Sequence, residues 1–173
     1  RLADGVDSLL HLHDKRMELY PSTKRSPNNR CGILGRKATD FYKYNKTEHQ
    51  AAYEMFKESL DCLQGEASAT TLYQYYTASF YTMKRTMKGD TLAQANMRAQ
   101  MLTDYLSLVD HVEAGMARAT EAGKDLDLKR YEKAKKNIET VFVAIADCED
   151  MVPVLASAIA ADSANMELQQ KVL

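Results

Sequence analysis

The chain has no long apolar run, so nowhere does it offer the roughly twenty consecutive apolar residues that a membrane-spanning helix requires. Only three prolines and seven glycines interrupt its 173 residues, and with 45% apolar residues this composition describes a helical protein rather than a sandwich of many short strands. Charge of one sign is also lacking: 23 Lys and Arg stand against 24 Asp and Glu, so no net field draws the whole molecule toward nucleic acid or an acidic membrane. Any such contact must be local. Cysteine is sparse, and Cys31, Cys62 and Cys148 form neither a C-x-x-C pair nor a dense framework. Free, partly buried thiols are the expectation and a disulfide the alternative, with at least one thiol unpaired within the chain because the count is odd. No signal peptide is visible, although a start on Arg1 instead of Met is compatible with removal of a leader.

What is present is helical periodicity. From Ala51 to Gln64 the residues Ala52, Met55, Phe56, Ser59, Leu60 and Leu63 share one side, and Glu54, Lys57, Glu58 and Asp61 the other. Thr47 with Gln50 predicts a capping box ahead of this helix, and Gly65 a stop behind it. Similar patterns flank it. Leu2 to Tyr20 reads as a helix interrupted or frayed near Gly5, Pro21 to Asn29 as a loop, and Cys31 to Tyr44 as a second helix. Ser68 to about Met87, the most aromatic stretch, places Leu72, Tyr75, Tyr76, Ser79, Phe80 and Met83 inward. Gly89 and Asp90 break it, and Thr91 to about Ala119 forms the longest helix, with Leu92, Ala95, Ala99, Leu102, Leu106, Val109, Val112 and Met116 inward and a kink expected at Gly115. After Gly123, Asp127 to Ala146 turns Tyr131, Ala134, Ile138, Val141, Phe142 and Ile145 inward and leaves Lys129, Arg130, Lys133, Lys135 and Lys136 solvated. Glu149 to Ala161, with Pro153 in its first turn, and Met166 to Leu173 complete the series. A chain of this length buries roughly two thirds of its unfolded surface and needs no metal or disulfide staple to fold.

Chemistry-bearing patterns are few. His11 and His13 point about 200° apart on a helix and cannot share a metal. Neither His49 nor His111 follows a Glu at the spacing of di-iron bundles, so solvated or hydrogen-bonded histidines are expected. No Ser or Cys is linked to a His and an acid in a recognisable pattern, and an enzyme is not expected. Cys-Gly-Ile-Leu-Gly-Arg-Lys at 31 to 37 sets two glycines and two cations near a helix start. With Lys24, Arg25, Arg30, Arg36 and Lys37 it makes a basic patch, for which a flexible solvated loop is the expectation and the holding of an anion the alternative. Tyr73 and Tyr81 fall outside the main buried face of the aromatic helix; packing against the adjacent hairpin is the first expectation for them, and the alternative is that they supply contact area and a hydroxyl for a partner.

The residues resemble the tetratricopeptide repeat family, in which pairs of antiparallel helices stack into a superhelix. Ala52, Phe56, Ser59 and Gln64 reproduce the small, large, small and turn spacing of the second helix of such a repeat, as do Met151, Leu155, Ala158 and Ser163; Leu34 and Gly35 look like the Leu-Gly pair of a first helix. The two matches imply repeats near 50 residues instead of the family's usual 34. More narrowly, LGRKATDFYKYN, AAYEMFKESLD, TLYQYYTASF and the run Asp147 to Asp150 are similar to helical-repeat proteins of the Bacteroidetes type. That resemblance implies an exported protein of the periplasm or cell envelope, further repeats beyond Leu173, and no catalytic residue.

The expectation is thus one all-α domain over residues 1–173, built of antiparallel helical hairpins stacked as a TPR-like superhelix. Its expected function is to bind a protein or peptide on a concave groove that includes Tyr42, Tyr73, Tyr76 and Tyr81, without metal or cofactor. Binding of nucleic acid or another anion through the basic loop at 24–37 is the alternative.

Overall fold

A computed structural model describes residues 2–24, 26, 29–63, 66–146, 152 and 156, with the backbone alone for 2–4. Among the described residues six α-helices of defined extent follow in order: α1 (Leu2–Leu19), α2 (Asn29–Tyr44), α3 (His49–Leu63), α4 (Ala69–Tyr81), α5 (Thr91–Glu121) and α6 (Asp125–Val143). A π-helical segment, Thr82–Thr86, continues α4. No strand occurs among the described residues, only an isolated bridge between Thr23 and Ser26 in the first loop. No described helix is long and apolar enough to cross a membrane.

Local chemistry sets most of the boundaries. Ser68 caps α4, its hydroxyl accepting from the Thr71 N–H at 3.2 Å, and Asp90 caps α5 by accepting from Ala93 N–H at 2.9 Å. Gly89 and Gly123 sit at φ 92° and 63°, in the left-handed region that spares glycine the Cβ clash, and they end the turns before α5 and α6. The capping box at Thr47 does not form. The helix begins at His49, with Ala52 N–H bonded to Glu48 O, while the Thr47 hydroxyl lies 3.5 Å from the Glu48 carboxylate and Gln50 donates to Glu54 one turn on. Gly5 lies within an unbroken α1.

Each even-numbered helix packs on its chain neighbours, and α4 additionally touches α2 and α6. Enclosure from several sides explains why α4 buries more than one stripe: Leu72, Tyr76 and Ser79 are covered, and so are Thr71, Tyr75 and Ala78. One continuous core runs from Cys31 to Ile145, and the complete burial of side chains such as Phe56, Leu72 and Met101 contributes about 1.5–3 kcal/mol each. Small residues set the α2–α3 spacing. A Cβ on Gly35 would stand 2.8 Å from Ser59 Oγ, and the Ser59 hydroxyl donates to Cys31 O at 2.9 Å.

Several expectations are corrected. Cys31 and Cys62 are joined in a disulfide with Cα atoms 5.8 Å apart, tying the start of α2 to the end of α3. Along α5 the buried stripe is Met97, Met101, Leu102, Leu108, Val112, Gly115 and Ala119; Leu92, Ala95 and Ala99 are exposed. Apolar residues occur on both sides of this helix, and contact with α4 and α6 selects between them. Gly115 does not interrupt the helix, which continues to Glu121. It makes room for Tyr131 of α6, whose ring a Cβ at this position would overlap and whose hydroxyl donates to Ala67 O at 2.9 Å. Lys135 is half-buried and not merely solvated, since it pairs with Glu113 of α5 at 2.9 Å. The expectations for Gln64, Gly65, Cys148, Asp147–Asp150, Met151, Pro153, Leu155, Ala158, Ser163 and the final helix from Met166 lie outside the described residues; Val152 and Ala156 are helical and exposed.

Candidate functional site

Because α2, α3 and α4 run antiparallel in turn, the end of α2, the start of α3 and the end of α4 meet at one end of the molecule. There an aromatic cluster forms. Tyr42 of α2 meets the His49 ring edge-on at 6.0 Å and Phe56 at 6.2 Å. His49 stacks on Tyr81 of α4, with centroids 5.1 Å apart and planes at 23°, and Tyr81 meets Phe80 edge-on at 5.5 Å. The π-helical segment places Arg85 over the Tyr81 ring, 5.0 Å from its centroid. Such segments are frequent at functional sites because one extra residue per turn re-aims the side chains that follow.

The electrostatics show how closely these groups lie. Burial pushes the Tyr42 phenol up to about 12, and the neighbouring phenols of Tyr81 and Tyr73 add to the effect against the opposing pull of Arg85. His49 is held below its ordinary value of 6.5, first by burial and then by the Arg85 charge, while Glu48 acts the other way. Its ring is only 5% exposed, and neither nitrogen has a hydrogen-bond partner within the described residues; the Thr82 hydroxyl is likewise buried and unpartnered. A cleft of about 320 Å³ lined by Glu48, His49, Glu54 and Thr86 opens beside His49.

The tyrosines divide by what their hydroxyls do. Tyr75 donates to Asp104, Tyr76 to Met101 O at 3.1 Å, and Tyr131 to Ala67 O. These phenols are used inside the fold, and burial together with Asp104 raises both Tyr75 and Tyr76 well above 10. The hydroxyls of Tyr42, Tyr73 and Tyr81 make no hydrogen bond among the described residues, and all three rings are half-buried. Tyr42 lies within electrostatic reach of both Tyr81 and Tyr73, with Tyr81 at the end of α4 and Tyr73 about two turns before it. Tyr76 is corrected: it is 0% exposed, a core residue that offers nothing to a partner.

The basic patch is not assembled as a phosphate loop. Residues 31–37 lie inside α2, and Gly35 is buried against Ser59 and Thr71. Lys37 is engaged by Asp14 of α1. The Arg30 N–H donates to Ser22 Oγ at 3.3 Å, Lys24, Arg30 and Arg36 are exposed, and Arg25 lies outside the described residues.

His49 was not legible as part of the aromatic cluster, and as a solvated or hydrogen-bonded residue it is corrected. The signal was its spacing, since His49, Ala52, Phe56, Ser59 and Leu63 form one buried stripe. Arg85 had no such signal, because its position depends on the π-helical turn. His13 is buried and bonded through Nε2 to Asp40 at 2.8 Å, with His11 exposed on the other side of α1. In comparisons with known proteins, no family model, no curated protein and no solved structure matches this chain.

Proposed function

We propose that this chain is a non-catalytic helical scaffold, its hairpins arranged as in tetratricopeptide repeats, that binds a protein or peptide through the aromatic end of α2, α3 and α4. The observation that supports the reading is a difference among the tyrosines: the phenols of Tyr75, Tyr76 and Tyr131 have internal acceptors, whereas Tyr42, with Tyr73 and Tyr81 within its electrostatic reach, keeps its hydroxyl unused as they do. Half-buried tyrosines of this kind combine a large apolar area with little conformational entropy to lose and a hydroxyl to donate, as binding hot spots do. The sequence of contacts from α2 to α4 to α6 is the order in which the first helices of successive repeats adjoin, and the Gly35–Ser59 approach is the close packing that small residues serve in such arrays. The Cys31–Cys62 disulfide supports placement in an oxidising compartment, in keeping with an exported protein.

The test is affinity capture from the source organism with the full-length protein, compared with a Tyr73→Ala, Tyr81→Ala bait. Partners retained by the first and lost from the second support the reading; equal recovery of every partner by both rejects it. The anion alternative is separated by salt, because binding driven by phosphates weakens steeply as salt rises, whereas aromatic burial changes little.

A further inference from the structure

We propose that the segment received by this aromatic surface is acidic, a stretch of peptide whose Asp or Glu carboxylates pair with Arg85 and Lys84 where these lie over Tyr81 and Phe80. This rests on the peptide-binding reading above and specifies its ligand. The observation is a concentration of cations that lack carboxylate partners. Arg85 sits over Tyr81, Lys84 Nζ lies 5.8 Å from the Phe80 centroid, and Lys43 Nζ lies 5.0 Å from that of Tyr44. Among the described residues none of these, nor Lys46 or Lys88 in the adjoining turns, forms a salt bridge. Elsewhere Lys15, Lys37, Arg130 and Lys135 each have one, while the exposed Lys57, Lys129, Lys133 and Lys136 form none among the described residues either but rest on no ring, so what marks this end is cations both unpaired and held over aromatic rings.

The acidic groups at this end do not supply the missing partners. Asp90 is occupied as the cap of α5, Glu54 accepts from Gln50 at 3.1 Å, and Glu48 lies beside His49. A guanidinium resting on a ring is restrained in position yet keeps its N–H edge open, the arrangement that receives a carboxylate with two parallel hydrogen bonds. Charge complementarity therefore points to an anionic partner. The stacking favours peptide over nucleic acid, since the Tyr81 ring is already stacked on His49 and covered by Arg85, leaving its edge and hydroxyl in place of a free face for a base.

The experiment is selection from a random-peptide display library on the whole chain, run in parallel on a Tyr73→Phe, Tyr81→Phe variant that keeps the rings and removes the hydroxyls. Sequences retained by the first and lost from the second are expected to be enriched in Asp and Glu. A synthetic peptide of that consensus should bind Arg85→Gln about tenfold more weakly, with Lys133→Gln, an exposed charge on α6, unchanged. Its Asn and Gln counterpart should bind the unaltered chain poorly. Tyrosine-dependent sequences without acidic enrichment, or equal binding by Arg85→Gln, overturn the acidic ligand and leave the aromatic surface standing. If no retained sequence depends on the two tyrosines, both readings fall. Displacement of the peptide by a thymidine oligonucleotide at equal charge reassigns the surface to polyanions and overturns the proposal.

Discussion

Alanine at Gly115 is expected to destabilise the protein even though glycine is a poor residue for a helix interior. Gly115 lies deep in the 31-residue α5, where removing glycine from a helix is worth about 1 kcal/mol in propensity alone. Against that gain stands the Tyr131 ring, which a Cβ would overlap at three of its carbons. The ring cannot simply retreat, because its hydroxyl is tied to Ala67 O ahead of α4, so one side chain links α6, α5 and the entry to α4. Overpacking costs about 1–3 kcal/mol, and losing the hydrogen bond about 1 kcal/mol more. The net is a loss of about 1–3 kcal/mol. Gly5 supplies the contrast. It lies in α1 with nothing within 4 Å of a Cβ, so alanine there should stabilise by up to about 1 kcal/mol. Urea unfolding followed by far-ultraviolet circular dichroism reads both as shifts of midpoint in opposite directions. The decisive control is Tyr131→Ala, in whose background Gly115→Ala should change sign and stabilise. A rise in midpoint for Gly115→Ala in the unaltered chain, equal to that of Gly5→Ala, would refute the reasoning.

Reduction of the Cys31–Cys62 disulfide, which closes a sequence separation of 31, should lower stability by about 3–4 kcal/mol, read from urea midpoints with and without reductant; an unchanged midpoint contradicts the linkage. His49 is held below its ordinary value of 6.5 by burial and by Arg85, so the folded state binds its proton less readily than the unfolded chain. Its contribution is therefore complete above pH 6.5 and lost as pH falls below that value and through the lower folded one, and His49→Gln should flatten this part of the stability profile; an identical profile for the variant counts against it. Tyr75→Phe removes a hydrogen bond to the Asp104 carboxylate and should cost about 1.5–3 kcal/mol, whereas Tyr73→Phe, with no acceptor to lose, should stay within about 0.5 kcal/mol by the same measurement.

Periodicity located the helices from α1 to α6, because burial of one side at 3.6-residue spacing is a local property that α3 displays plainly in Ala52, Phe56, Ser59 and Leu63. Turn chemistry likewise placed the breaks at Gly89 and Gly123, whose positive φ is a cost that other residues would carry. The face of α5 was not legible, since Met97, Met101 and Leu108 compete with Leu92, Leu106 and Val109 and only the neighbouring helices decide which are covered. The same holds for Tyr76, a tyrosine like its neighbours in sequence, made internal by the carbonyl of Met101 brought to it from α5. Pairing of Cys31 with Cys62 depended on the antiparallel return of α3 along α2, and the position of Arg85 over Tyr81 on a turn that departs from α-helical register. Side-chain pattern, then, settled what each segment becomes, whereas the use of each polar group followed from which acceptors and charges the packing of distant segments carried within reach.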